Sequence, residues 1–232
     1  MKIGIIAAMK YEMELIKSQM YDLRIEPFKS FNFIIGTISN NEIILVESGV
    51  GKVNSSIAAT LLVSLYDCKL IINTGIAGGL MPLETGDVCI ATKLLYFDAD
   101  ATIFGYSYGQ VPSMPKYYAP LDSRISLTKK ALNSLGINYK EVTIYSGDSF
   151  ITSMDKLSCI DTSILCATEM EGCSVAQTAY RLGVDFMVIR YISDVIGRES
   201  QIENYNKFED EMAEKSAKIT IELLKQIEVS ND

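Results

Sequence analysis

Short apolar runs, none longer than eight residues, alternate along this chain with stretches of helical periodicity, and that rhythm restricts the fold more than any other feature. The strand-like runs fall at residues 3–8, 32–38, 43–47, 70–73, 88–91, 142–145, 164–167 and 185–192. Helical patterns cover 11–20, 53–66, 124–135, 172–182 and 207–227. Several of the strand-like runs are apolar throughout, which is the signature of strands covered on both faces. Strands that alternate with helices imply parallel pairs joined by right-handed crossovers. Asn40-Asn41 lies between two such runs and reads as a hairpin turn, which adds an antiparallel pair. The expected fold class is therefore α/β, around a mixed, mostly parallel β-sheet. No repeat, linker or low-complexity segment divides residues 1–232, so one domain is expected.

Composition removes several functions. The formal net charge of −8 opposes binding to nucleic acid or to an anionic membrane surface. No apolar run approaches the length of a transmembrane helix. The N-terminal apolar run is short and meets Glu12 and Glu14 at once, so it reads as a buried first strand and not as a signal sequence. The five cysteines include no CxxC pair and read as reduced thiols of a cytoplasmic protein. Histidine is absent, so no metal centre and no histidine-based triad is expected. Acid–base chemistry must fall to carboxylates, Lys, Tyr or Cys.

Residues 97–122 break the rhythm. They hold three of the five prolines (Pro112, Pro115, Pro120) and the tyrosines Tyr106, Tyr108, Tyr117 and Tyr118. A long irregular segment in a compact domain is usually functional or at an interface, and this composition suits a partner surface. Two glycine-rich segments fail the familiar nucleotide tests. Gly49-Val50-Gly51-Lys52-Val53-Asn54 has asparagine where a dinucleotide fingerprint needs its third glycine, and Val46 and Val53 break a P-loop. Thr74-Gly75-Ile76-Ala77-Gly78-Gly79, read as a loop after the run 70–73, allows close approach of backbone to a ligand.

Three acids sit where strand-like runs end. Glu12 follows the first run, Glu171 lies between run 164–167 and a helix, and Asp194 ends the longest run. Each alone is better explained as a residue at a helix start, where the backbone dipole favours negative charge. Together, in a chain without histidine, they are the best candidates for proton transfer.

The ordered segments Ile3-Gly4-Ile5-Ile6-Ala7-Ala8-Met9…Glu12, Ser48-Gly49-Val50-Gly51-Lys52-Val53-Asn54, Asn73-Thr74-Gly75-Ile76-Ala77-Gly78-Gly79, Asp98-Ala99-Asp100-Ala101…Phe104-Gly105-Tyr106…Gly109-Gln110, Ser146-Gly147-Asp148-Ser149-Phe150-Ile151, Glu169-Met170-Glu171-Gly172 and Arg190-Tyr191-Ile192-Ser193-Asp194 resemble 5′-methylthioadenosine/S-adenosylhomocysteine nucleosidases, a branch of the purine nucleoside phosphorylase superfamily. The resemblance runs the length of the chain. It implies a three-layer α/β sandwich, a homodimer, and hydrolysis of small thio-adenosine nucleosides to adenine and a thioribose, with no cofactor and no metal.

The resemblance also implies residue roles. Asp194 is the general acid at adenine N7, oriented by Ser193. Glu12 is the base that aligns water, with Arg190 nearby. Glu171 grips the ribose hydroxyls, and Met170 and Met9 line the sugar pocket. Ile76, Ala77 and Gly78 belong to the loop beside the water. Ile151 meets the adenine edge through its backbone and Phe150 stacks on the ring. Phe104 and Pro112 cover the 5′-thio group in a neighbouring subunit, and Tyr205 is the aromatic that closes over the ligand. Two positions depart from the family pattern: Ile76 replaces a common serine, and Phe97 replaces a histidine. A phosphorylase, another purine nucleosidase and a nucleoside-binding protein without turnover remain alternatives at this point.

Overall fold

A computed structural model describes the backbone of residues 1–229; the side chains of residues 11, 12, 208–210, 212–214, 228 and 229 lie outside the described part. Among the described residues nine strands form the centre: β1 (Lys2–Ala7), β2 (Tyr21–Phe28), β3 (Phe31–Ile38), β4 (Asn41–Glu47), β5 (Leu70–Gly79), β6 (Val88–Tyr96), β7 (Tyr139–Ser146), β8 (Cys166–Glu169) and β9 (Asp185–Val195). Five helices surround them: α1 (Tyr11–Ser18), α2 (Lys52–Tyr66), α3 (Asp122–Ser134), α4 (Gly172–Leu182) and α5 (Gln201–Val229).

The strands are ordered β2-β3-β4-β1-β5-β8-β7-β6-β9, and β9 returns to pair with β5. Five strands thus close into a ring, from which β1, β4, β3 and β2 extend as a wing. Parallel pairs join β1 to β4 and β5, β5 to β9, and β7 to β6 and β8. Antiparallel pairs join β3 to β2 and β4, β5 to β8, and β6 to β9. The sheet is therefore mixed, with parallel pairs the larger share.

Successive strand residues point to opposite faces, and in β1 both faces are dry. Ile6 packs with Ile44, Ala58, Leu62 and Ala176, under α2 and α4. Ile5 belongs to the opposite core, which also holds Ile16, Ile43, Leu132 and Leu223 and lies under α1, α3 and α5. This explains why the strand runs are apolar without alternation, and it makes three layers of helix, sheet and helix.

Two features differ from the sequence expectation. Strand β2 has no counterpart among the apolar runs, because it is exposed along most of its length and carries Pro27 at the sheet edge, where the missing N–H costs no ladder bond. The glycine-rich segment 74–79 is the second half of β5, not a loop: it pairs with β9 throughout and with β8 at Gly78 and Gly79. Residues 97–121 are irregular as expected, apart from a short 3-10 turn at Thr102–Phe104. Among the described residues no helix is long and apolar enough to cross a membrane.

Gly4 marks a close approach of β1 to α2 and to the neighbouring strand β5. A Cβ there would stand 2.8 Å from Cδ1 of both Leu62 and Ile71. Gly4→Ala is expected to cost about 1–3 kcal/mol of stability through overpacking, read as a lower urea midpoint with an unchanged slope.

Candidate active site

The carboxyl ends of β5, β8 and β9 converge on one pocket, lined by both apolar and acidic side chains. The sequence of β9 shapes its acidic end. Along the β5–β9 ladder, Ala77 lies opposite Ile192 and Gly78 opposite Asp194, so Ser193 is an extra residue in the strand. Such a bulge re-aims side chains that would otherwise alternate across the sheet. Ser193 and Asp194, adjacent in sequence, consequently both face the pocket. β9 runs one residue past Asp194, to Val195. Gly78 leaves room for the acid, since a Cβ there would lie 3.3 Å from Asp194 Oδ2.

Both Asp194 oxygens have donors. Ser193 Oγ donates to Oδ1 at 2.6 Å and Gln201 Nε2 donates to Oδ2 at 2.8 Å. Burial pushes the Asp194 carboxyl up from its ordinary value, and the two hydrogen bonds pull it back in part. The same Gln201 amide nitrogen donates to the Ile151 carbonyl at 2.7 Å, and Gln201 Oε1 accepts from Gly197 N–H at 3.2 Å.

Glu171 occupies the residue just before α4. Its Oε1 accepts from the Gly51 N–H at 2.9 Å, so the first glycine loop serves to hold a carboxylate. Lys52 in that loop is engaged by Asp98 at 2.6 Å and by Asp148 at 3.8 Å, which leaves no spare cation there for a phosphate.

Arg190 is buried beside Glu169, with Nη2 2.5 Å from Glu169 Oε2 and side chains only 1% and 2% exposed. The guanidinium also donates to the Asn73 side chain, the Asn73 carbonyl and the Ile189 carbonyl. Glu169 in turn accepts from the Glu171 and Gly172 N–H groups, at 3.0 and 2.7 Å, and from Ser146. A buried pair of this kind is tolerable because nearly every lone pair and proton has a partner.

The remaining expected residues divide clearly. Met9, Ile76, Ala77 and Gly78 line the pocket, as do Phe150, Ile151, Met170 and Tyr205. Tyr205 meets Phe150 edge-on, with ring centroids 5.1 Å apart. Phe104 and Pro112 are exposed and do not line the pocket of their own chain. The side chain of Glu12 lies outside the described residues; its backbone is the second residue of α1, which follows β1. Sequence reasoning missed Glu169 and Gln201. Nothing in the sequence separated Glu169 from Glu171 two residues on, and Gln201 carried no signal at all.

A model of the phosphorylase superfamily matches residues 2–225. The 5′-methylthioadenosine/S-adenosylhomocysteine nucleosidase of Halalkalibacterium halodurans is 41% identical, covering 96% of this chain and 97% of that relative. The chain belongs to that nucleosidase family, within the phosphorylase superfamily. Among solved structures, the Streptococcus pyogenes S-adenosylhomocysteine nucleosidase in complex with 5-methylthiotubericidin superposes with a TM-score of 0.91 at 37% identity, covering 97% of this chain and 96% of that one. Futalosine hydrolase of Helicobacter pylori strain 26695 superposes at 0.90 with 29% identity, covering 97% of each chain. These two structures therefore share the fold of this chain over nearly its full length.

Removing one charge of the buried pair leaves the other unmatched. Glu169→Gln is expected to cost about 3–5 kcal/mol, measured by chemical unfolding. Glu141→Gln, which breaks a surface pair with Lys129, should leave the midpoint within error.

Proposed function

We propose that this protein hydrolyses the N-glycosidic bond of 5′-methylthioadenosine and S-adenosylhomocysteine, releasing adenine and the thioribose. The observation that carries the reading is Asp194: a buried carboxyl with raised proton affinity, fixed through both oxygens, in a pocket that also holds Glu171. Adenine leaves poorly as an anion. Asp194 gives its proton to N7, the C1′–N9 bond breaks, and its electron pair stays on the base. The sugar acquires oxocarbenium character, which nearby carboxylates stabilise. Water adds to C1′ and loses a proton to Glu12. Glu171, held by the Gly51 N–H, receives the ribose hydroxyls. Met9 and Met170 flank the sugar, and Phe150 and Tyr205 cover the base. Arg190 acts as a fixed buried cation locked to Glu169. Ile76 packs against the core beneath it and gives the pocket an apolar wall there.

The same reading makes the protein a cytoplasmic homodimer. Ile103 and Phe104 stand 87% and 77% exposed on the turn after β6, and Val53 and Ile57 present a second apolar face on α2. Apolar surface of this kind marks a partner site, and a second copy places Phe104 and Pro112 at its neighbour's pocket.

Incubation with methylthioadenosine should release free adenine without added phosphate; strict phosphate dependence would indicate a phosphorylase, and binding without release a sensor. Futalosine in the same assay tests the activity named for the Helicobacter relative. Asp194→Asn should lower kcat at least about 10²-fold while ligand affinity changes little. Because the folded Asp194 holds its proton to higher pH than an ordinary aspartate, wild-type kcat/KM should fall as pH rises through that value. Ser193→Ala removes a bond that favours the charged form, so it should move this alkaline limb to higher pH. Phe104→Asp should weaken dimerisation in sedimentation velocity and lower activity in parallel, since it buries an unpaired charge.

A further inference from the structure

Gln201 bonds two residues that line the acidic end of the pocket, Asp194 and Ile151, and the proposed chemistry leaves it without work. It is 3% exposed and opens the first turn of α5. Its amide nitrogen bonds two acceptors at once, the Ile151 carbonyl at 2.7 Å and Asp194 Oδ2 at 2.8 Å, while its amide oxygen takes the Gly197 N–H at 3.2 Å. One NH₂ group therefore bridges two acceptors at the pocket wall. A 6-aminopurine carries the same group. In adenine the 6-amino nitrogen lies on the same edge as N7, close beside it. A base whose N7 faces the Asp194 carboxyl must aim its amino group at the remaining acceptors on that side, which are Asp194 Oδ2 and the Ile151 carbonyl.

We infer that Gln201 is a placeholder for the purine amino group: its amide holds the subsite in the empty protein and must leave when a 6-aminopurine binds. The inference rests on the N7 assignment of Asp194 made above. Displacement breaks three hydrogen bonds of one side chain, and Gln201 lies one helical turn before Tyr205, which lines the pocket against Phe150. Movement of Gln201 thus carries the first turn of α5 with it and couples occupancy of the amino subsite to the aromatic cover. A purine without the amino group has no atom at that position, so Gln201 stays in place beside it.

Competition of this kind lowers apparent affinity by the fraction of protein in the competent state. Calorimetric titration with adenine and with unsubstituted purine, on wild type and Gln201→Met, tests it. Methionine keeps the length and removes the donors. Adenine is expected to bind at least about threefold more tightly to the variant, with purine changing less than twofold, and KM for methylthioadenosine should fall relative to kcat. Equal changes for both bases, or weaker adenine binding, would overturn the inference, because a purely structural role affects both alike. Should the variant not fold, hydrogen exchange on wild type decides: the Gly197 amide should exchange faster with adenine bound and not with purine, and no difference between the two refutes the placeholder. Binding of free bases requires no turnover, so these outcomes are separate from failure to release adenine, which would instead remove the nucleosidase reading.

Discussion

The Arg190–Glu169 pair is the contact on which the site depends. Through it, one carboxylate links β9 to β8, to Ser146 at the end of β7, and to the first amides of α4. Ser146 accepts in turn from the Cys173 N–H at 2.7 Å. The guanidinium reaches across to Asn73 on β5, whose own amide donates to the Ile6 carbonyl on β1 at 3.1 Å. An unbroken series of buried polar contacts therefore runs from β1 to α4 beneath the pocket floor. Buried pairs add little net stability, since desolvation offsets most of their attraction. Their contribution here is position. The amide of Glu171, the residue that also meets the Gly51 loop, is bonded directly to Glu169.

Asp194 is buried to a similar degree, but its partners differ. Glu169 has a guanidinium against it, whereas Asp194 accepts from a hydroxyl and an amide, both neutral. Neutral donors offset only part of the desolvation, so burial raises its proton affinity. Two carboxylates in one pocket are thereby assigned different work by their neighbours. The β9 bulge makes this possible, since it turns Ser193 to the same side as Asp194 and so supplies a donor from the adjacent residue.

Much of this fold was legible because two-sided burial leaves a direct trace in sequence. Ile3, Ile5 and Ile6 had to be apolar to fill both cores, and the run announced the strand. Strand β2 left no such trace: its residues are mostly exposed and its pairing with β3 is set by backbone contacts and the neighbouring turn. The glycines of 74–79 misled for a related reason. Low side-chain volume usually marks a turn, but here a strand interior needs it, as at Gly79, where a Cβ would stand 2.9 Å from Ile192 and from Leu83. Within the site, Asp194 and Glu171 were readable as acids at strand ends. Glu169, one more acid in Thr-Glu-Met-Glu-Gly, was not, because its function is defined by an arginine twenty-one positions away.

Gln201 belongs to the same class of unreadable residue, and the balance of forces explains why such a side chain is present. An empty pocket with the Ile151 carbonyl and Asp194 Oδ2 unmatched would hold two buried acceptors without donors, at a cost of about 1–3 kcal/mol for each. A side-chain amide removes that penalty while no ligand is bound. An incoming amine offers equivalent hydrogens, so the hydrogen-bond inventory at these two atoms is the same before and after exchange. The net cost of binding then reduces to freeing the Gly197 amide and shifting the first turn of α5, which is modest compared with leaving the acid bare. A base that expelled Gln201 without supplying an amine would face the full penalty. The subsite therefore discriminates by what an unsuitable ligand leaves unmatched, which is a stronger basis for selectivity than apolar fit alone.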